Sequence, residues 1–379
     1  DIDPARYTSL IAMFDETCAT YPDRPAFGNF GVFLDYTRLQ ARTRSFAAWL
    51  QHTLHVVPGD RVALMLPNVL QYPVAMLGAL RAGAVVVNVN PLYTPRELKH
   101  QLNDAGARVI VVFDAMLHTL ASVLHETPVE TVVLARIGDL FPRVKRSLYN
   151  FVSARRRGHR LAAVPGLVSF RDVLSRGRTL ETKAVDIQAG DIAFLQYTGG
   201  TTGVAKGAVL VHANITGNSL IAEEWLQPAL RDRSKGPPPE QLVFVSALPM
   251  YHIFCLVSVM WLSLKLGGHN ILIPNPRDMD GMVEVLRKHH FNVLPAVNTM
   301  FNGLVNHAGF RTLDFSGLRI SNGGGMAVQR AVAEKWLELT GTPIVEGFGL
   351  TETSSGATCN PVMSTAYTGD VGMPMPSTE

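Results

Sequence analysis

Ile192-Ala193-Phe194-Leu195-Gln196-Tyr197 runs straight into Thr198-Gly199-Gly200-Thr201-Thr202-Gly203-Val204-Ala205-Lys206-Gly207, a mostly apolar stretch followed by glycines, hydroxyls and one lysine. The apolar run predicts a buried strand. The loop after it has the composition of a phosphate cradle. Glycines allow positive φ and close backbone approach, so amide N–H groups can point at anionic oxygens while threonine hydroxyls and Lys206 add donors and charge. A triphosphate is the natural ligand. The loop is not a Walker A motif, because Ala205 stands before the lysine and Gly207 stands where Ser or Thr would meet magnesium. No GxGxxG occurs in the chain. Both common nucleotide folds lose support, and a P-loop kinase or ATPase with them. A plain flexible linker has no need of a lysine among hydroxyls directly after a buried strand.

On either side of this stretch, short runs rich in Val and Ile recur, before it at Arg61 to Leu66, Ala84 to Asn90, Arg108 to Phe113 and Thr131 to Leu134. Helical patterns at Pro73 to Arg81 and Pro95 to Ala105 separate them, the second with Thr94 as N-cap, Pro95 at the first position and Glu97 in the first turn. Buried strands joined by helices predict an α/β fold. A second series, Leu242 to Ala247, Asn270 to Ile273, Asn292 to Val297, Leu318 to Ser321 and Ile344 to Glu346, predicts a second sheet. Lys235 to Pro239 reads as a surface loop before a strand.

With 379 residues the chain can bury large cores, and 47% hydrophobic against 17% charged residues argues against disorder. The 34 basic and 31 acidic residues leave a net charge of +3, so no nucleic-acid partner is expected. Cys18, Cys255 and Cys359 lie far apart without a CxxC, which indicates neither a disulfide framework nor a thiolate metal site. A cytoplasmic location fits. Asp1 opens the chain without a leader, as a trimmed cytosolic chain would. The longest uncharged stretch, Gln241 to Leu264, is broken by Pro249, Tyr251 and His252, and reads as a strand, a turn and a buried helix.

Gly347-Phe348-Gly349-Leu350-Thr351-Glu352-Thr353 also follows a predicted strand. An aromatic face can stack on a base, a hydroxyl can hold a phosphate, and a carboxylate can hold a hard cation beside it. A turn with an exposed Glu is the plainer alternative. Taken with the first loop, this constellation resembles the adenylate-forming acyl-activating superfamily. Leu248-Pro249-Met250-Tyr251-His252-Ile253-Phe254, Thr299-Met300-Phe301-Asn302, Gly323-Gly324-Gly325-Met326 and Asn88-Val89-Asn90-Pro91-Leu92-Tyr93-Thr94-Pro95 resemble the bacterial long-chain fatty acyl-CoA synthetase branch. The resemblance covers nearly the whole chain.

The resemblance implies an α/β fold of two packed, mostly parallel sheets with flanking helices, and activation of a long-chain fatty acid with ATP to acyl-AMP and then, with coenzyme A, to acyl-CoA. Thr198, Gly199, Gly200, Thr201, Thr202, Gly203 and Lys206 would bind the β- and γ-phosphates. Thr351 would contact the α-phosphate region, and Glu352 would hold Mg²⁺. Gly323, Gly324, Gly325, Gly347 and Phe348 would form the adenine pocket, Phe348 standing where the family more often has Tyr. His252 would sit near the acyl carboxylate, against the plainer reading of a core histidine. Ile253, Phe254, Val257, Val297, Met300 and Phe301 are candidates for the acyl wall, or else simply core. Asp370, in Thr368-Gly369-Asp370, lies too early in the chain for the family's ribose aspartate and is not assigned to ribose. An amino-acid substrate is disfavoured, since no Asp or Glu from Gln241 to Arg277 could face an α-ammonium.

By the same resemblance, 1–379 reads as a large N-terminal adenylation domain. It comprises a lobe 58–212, a second lobe 1–57 with 213–355, and the start of a β lobe at 356–379. The family's C-terminal lid, with its catalytic lysine, and the ribose aspartate are expected beyond this chain, so the chain alone should turn over slowly. Competing readings are activation of an aryl or medium-chain acid, and a non-catalytic nucleotide or lipid-binding module. Leu140, Phe141, Val144, Leu148, Phe151 and Val152 share one helical face in a segment without Asp or Glu between Asp139 and Asp172. Read one way this is a peripheral contact with the inner face of the membrane; read the other, a core-facing helix with a basic end. No signature of an oligomeric state is present.

Overall fold

Each apolar run expected as a strand is one, and the reason is burial: β-branched side chains crowd a helix but pack well on a pleated surface covered from both sides. In the computed structural model, which describes residues 2, 3, 5–157, 164–198 and 205–378, the strands in chain order begin with β1 (Pro25–Asn29), β2 (Val32–Asp35), β3 (Arg61–Met65), β4 (Val85–Asn88), β5 (Val109–Phe113), β6 (Thr131–Ala135), β7 (Val168–Ser169), β8 (Ile192–Thr198) and β9 (Lys206–Val211). They continue with β10 (Val243–Ser246), β11 (His269–Leu272), β12 (Val293–Ala296), β13 (Ile320–Gly323), β14 (Ile344–Leu350), β15 (Ser355–Cys359) and β16 (Met373–Pro374).

The chain divides into two compact units, each carrying one sheet. The first consists of Thr8–Ala12 and Thr37–His212. Its seven strands run in the order β7-β6-β5-β3-β4-β8-β9, all pairs parallel except the last. Every residue of β4 is buried, as are Val62 to Met65 of β3 and Val109 to Val112 of β5. Burying one such side chain contributes about 1.5–3 kcal/mol. The sequence reading places residues 1–57 with the later lobe, but helix Tyr36–Thr53 packs into this unit from residue 37 onward. Phe46 lies 5.7 Å from Phe170 between ring centroids, and a Cβ on Gly78 would come within 2.8 Å of the Phe46 ring. At Gly177 a Cβ would meet the Ser45 carbonyl at 1.8 Å, so only glycine lets the two helices approach this closely.

The second unit consists of Asp1–Tyr7, Met13–Tyr36 and Ala213–Glu379. Nine strands run β16-β15-β14-β13-β12-β10-β11-β1-β2, parallel from β14 to β1 and antiparallel at both edges. Residues 356–379, read as the start of a separate β lobe, supply β16 and most of β15, which extend this sheet from β14. Its core includes the aromatic group Phe301, Phe310 and Trp336, all fully buried. The three cysteines are buried free thiols. Among the described residues no helix is long and apolar enough to cross a membrane.

Candidate active site

The glycine- and threonine-rich stretch joins the two strands of an antiparallel hairpin at the edge of the seven-stranded sheet. Thr198 stands directly opposite Lys206, and Tyr197 opposite Gly207. Gly199, Gly200, Thr201, Thr202 and Gly203 lie outside the described residues. Lys206 is exposed and Thr198 half-buried. Gly207 has a steric cause, because a Cβ there would lie 3.0 Å from the Tyr197 ring. Both strands are tied to helix Pro95–Ala105, whose start is the capping box expected from sequence: the Glu97 N–H donates to Thr94 Oγ1, and the Thr94 N–H to Glu97 Oε2 at 2.8 Å. One turn apart on this helix, His100 Nε2 lies 3.0 Å from the Ala205 carbonyl and Asp104 Oδ2 accepts from the Tyr197 hydroxyl. Burial, followed by that bond to Asp104, raises the Tyr197 pKa, so its hydroxyl stays a donor.

In the nine-stranded unit, β14 carries Glu346 to Leu350 outward to an exposed end. Phe348 is 47% exposed. A bulge separates Phe348 from Gly349, and a Cβ on Gly349 would sit 1.7 Å from the Ser355 carbonyl. The chain then turns through Thr351 and Glu352. Thr351 is nearly buried, whereas Glu352 is exposed. Thr353 Oγ1 accepts from the Leu350 N–H at 2.8 Å. Ser354 and Ser355 adopt φ of 59° and 108°, a left-handed backbone that non-glycine residues avoid. Two side chains from outside the turn hold it there: Ser258 Oγ lies 2.6 Å from Ser355 Oγ, and Asn218 Nδ2 donates to the Gly356 carbonyl at 2.8 Å.

Gly323, Gly324 and Gly325 close β13 and enter a loop. The space beside Gly324 is taken by the Phe254 ring, 3.1 Å from where a Cβ would stand, and by the Gly347 carbonyl at 3.4 Å. Gly325 has φ of 75° and faces Val297. Three bonds hold the far end of the loop: the Val328 N–H donates to Glu346 Oε1 at 2.8 Å, the Gln329 N–H to Asn298 Oδ1 at 3.0 Å, and the Tyr367 hydroxyl to the Val328 carbonyl at 2.8 Å. Glu346 is buried, and that desolvation raises its pKa.

His252 caps a continuous helix that runs through Ile253–Cys255, a π-wound segment Leu256–Trp261, and Leu262–Lys265. The Phe254 N–H donates to His252 Nδ1 at 3.4 Å, which places the proton of a neutral ring on Nε2. His252 is exposed as a residue, yet protein atoms crowd its ring, and this desolvation lowers its pKa. Ile253 and Val257 are buried, Phe254 and Val297 half-buried, and Met300 nearly buried. The structure thus gathers Phe254 and Val297 at the glycine loop. Phe301 instead packs edge-on to Trp336 at 4.7 Å, inside the aromatic core. Asp370 Oδ1 accepts from the Gly372 N–H at 3.0 Å and shapes a turn.

His100, Asp104, Asn218, Ser258, Asn298, Glu346 and Tyr367 escape the sequence reading. Each holds a motif that is distant in sequence or backbone alone, and only Glu346 carries a local signal, as a carboxylate ending an apolar strand run.

Set beside known proteins, residues 14–379 match the family model described as AMP-binding enzyme. The chain is 50% identical over 382 residues to the long-chain-fatty-acid–CoA ligase of Yersinia pestis, and 46% identical over 379 residues to that of Haemophilus influenzae. In both cases all of this chain is covered and it spans 66% of the relative's length. The crystal structure of the anthranilate CoA ligase AuaEII in complex with anthranoyl-AMP superposes with a TM-score of 0.81 at 20% identity, over 99% of this chain and 66% of that one. The two-sheet α/β fold is therefore that of adenylate-forming enzymes. A hairpin bearing Lys206, a glycine loop and a Thr-Glu turn on that fold, with a family match from residue 14 onward, make this chain a member of the AMP-binding enzyme family.

Proposed function

We propose that this chain is the adenylate-forming part of a long-chain fatty acid–CoA ligase, which joins a fatty acid to ATP and then to coenzyme A. The observation that carries the reading is the packing of Phe254 against Gly324 beside the Gly347 carbonyl. Phe254 follows His252 by two residues, so a carboxylate beside His252 and a nucleotide on that loop would be neighbours. The 50% identity to the Yersinia pestis ligase supports a long-chain acid.

In the first half-reaction a carboxylate oxygen attacks the α-phosphorus of ATP, the bond to the bridging oxygen breaks, and acyl-AMP and pyrophosphate result. In the second, the coenzyme A thiolate attacks the acyl carbon and AMP leaves. Thr198 to Gly203 and Lys206 hold the β- and γ-phosphates with backbone N–H groups, hydroxyls and one ammonium. Thr351 bonds the α-phosphate region. Phe348 stacks on adenine above Gly323, Gly324, Gly325 and Gly347. His252, with its proton on Nε2, donates to the carboxylate and orients it. Ile253, Phe254, Val257, Val297 and Met300 keep the acyl path dry, and Phe301 backs that wall from the core. Catalysis rests on positioning and charge stabilisation.

Glu352 suits a hard cation, because its carboxylate is exposed beside the phosphate-binding hydroxyl and forms no ion pair among the described residues. It would hold Mg²⁺, which neutralises charge on the phosphate oxygens. The site of action is the cytoplasm, with peripheral contact at the inner face of the membrane.

Pyrophosphate release by the intact protein across a panel of acids tests the reading. Release should rise with chain length and be poor with acetate and benzoate. Preference for an aryl or medium-chain acid would move the substrate class, and release with no acid dependence would overturn acyl activation.

A further inference from the structure

Helix Arg143–Arg157 is built inside out. Val144, Leu148, Phe151 and Val152 follow the spacing of one helical face, and they are 85%, 58%, 57% and 40% exposed. The opposite face, with Lys145, Arg146, Tyr149, Asn150 and Ser153, is the half-buried one. Asn150 Oδ1 accepts from the Gly138 N–H at 3.0 Å, and Lys145 Nζ stands 5.8 Å from the centre of the Tyr149 ring. Asn150 thus ties this face to Gly138, and the Tyr149 ring packs edge-on at 5.3 Å against buried Phe141, while the apolar row faces outward. Leu140 and Phe141, expected on the same face, precede the helix and are buried, so the core-facing reading holds for those two and not for the four residues within the helix.

An exposed apolar row demands a cover, and the charge around it says which. From residue 140 to 171 the sequence has no acidic residue, while Arg143, Lys145, Arg146, Arg155, Arg156, Arg157, Arg160 and Arg171 are basic. The Arg155 guanidinium stands 4.9 Å from the centre of the exposed Phe151 ring, so positive charge borders the apolar row itself. A second copy of this helix would bring like charges together. We propose that helix Arg143–Arg157 docks on an anionic lipid bilayer, lying in the headgroup plane with Val144, Leu148, Phe151 and Val152 in the acyl boundary and the arginines against phosphate. Fifteen residues make a helix of about 22 Å that lies on a bilayer and does not span it. Such docking deepens the membrane contact proposed above by naming the helix and side chains that make it, and it does not depend on acyl activation.

Co-sedimentation of the full-length protein with vesicles of phosphatidylglycerol and phosphatidylcholine, or of phosphatidylcholine alone, tests this. Wild type should partition to the anionic vesicles and release at high salt. Leu148→Glu with Phe151→Glu should weaken partitioning at least roughly tenfold, and Arg143→Glu with Arg155→Glu by a similar factor. Melting temperature should be unchanged, since these side chains are exposed, and so should pyrophosphate release with a soluble acid. Indifference of wild type to anionic vesicles, or equal binding by the apolar-face variant, would overturn the proposal. So would loss of self-association in that variant with vesicle binding intact, which would assign the face to a second copy.

Discussion

Tyr197 donates its hydroxyl to Asp104 at 2.5 Å, and the bond ties one strand of the lysine hairpin to a capped helix. Because β9 is the edge strand beside β8 among the described residues, this contact and the one from His100 to the Ala205 carbonyl are side-chain anchors of an edge hairpin. Tyr197→Phe should lower kcat/KM for ATP about three- to tenfold, the scale of roughly 1 kcal/mol for a partly solvated hydrogen bond. The KM for fatty acid and the melting temperature should stay near wild type. Unchanged ATP kinetics would show that the hairpin does not need the anchor.

Lys206→Ala and Glu352→Ala remove exposed charges, and neither leaves a cavity. In the intact protein each should lower the rate of pyrophosphate release by an amount corresponding to about 2–4 kcal/mol of transition-state stabilisation, with folding unaffected. Wild-type release in either variant would exclude that side chain from the phosphates or the cation.

Val297→Trp separates acyl wall from core. Val297 is half-buried and faces Gly325, so a larger ring should shorten the preferred acid with little change in melting temperature. Overpacking of a closed core would instead destabilise the protein by roughly 1–3 kcal/mol. A stable variant with an unaltered chain-length profile would remove Val297 from the acyl path.

Glu346 offers a pH signature. Burial raises its folded pKa above the ordinary 4.5, so its protonated form is favoured in the fold. That contribution is present below pH 4.5 and lost as the pH rises through the folded value. Glu346→Gln keeps an acceptor for the Val328 N–H without the buried charge. The variant should therefore be at least as stable as wild type at pH 7 by urea denaturation, its advantage shrinking as the solution is made acid. A large loss of stability at pH 7 would show that the charge itself holds the loop.

Two buried histidines weaken the fold in acid, while burial raises Asp139 to about 6 and acts the other way over the same range. Burial pushes His212 down to about 4 and His269 down to about 4 from an ordinary 6.5, with His289 adding to the effect at His269. A depressed histidine contributes stability above pH 6.5 that is lost as the pH falls toward 4, on the order of 3 kcal/mol each. His212 Nδ1 accepts from the Leu10 N–H at 3.2 Å, and protonation would abolish that bond. His212→Gln should therefore gain on wild type in urea midpoint as the pH falls from 6.5 to 4.5, because only wild type has this buried imidazole to charge. A difference between variant and wild type that stays constant over that range would refute the assignment.

Ten of the strands are legible as runs of Val, Ile and Leu, because interior parallel strands bury both faces and so leave a continuous apolar signal. The others sit at or near edges. β9 opens with Lys206 and Gly207, which read as loop, and only Leu210 is buried. β1 contains Pro25 and Gly28, both poor strand formers. At the site, what is contiguous in sequence is legible: the hairpin glycines, the Thr351-Glu352 turn and the Thr94-Glu97 capping box. The groups that hold these motifs are brought in by the fold from 39 residues away for Tyr367, 97 for Ser258 and 138 for Asn218, and no periodicity links them. The direction in which the helix Arg143–Arg157 turns its apolar row also depends on where Asn150 and Tyr149 find partners.

The π-wound turn at Leu256–Trp261 holds one residue more than an α-helical turn would. It therefore acts as a phase setting. Deleting a single residue there would let the helix relax to ordinary winding and rotate everything before it by about 100° relative to Leu262–Lys265. His252 and Phe254 would leave their present bearings, and the ring that now fills the space beside Gly324 would point elsewhere. One surplus residue thus decides which side chains the helix turns toward the glycine loop.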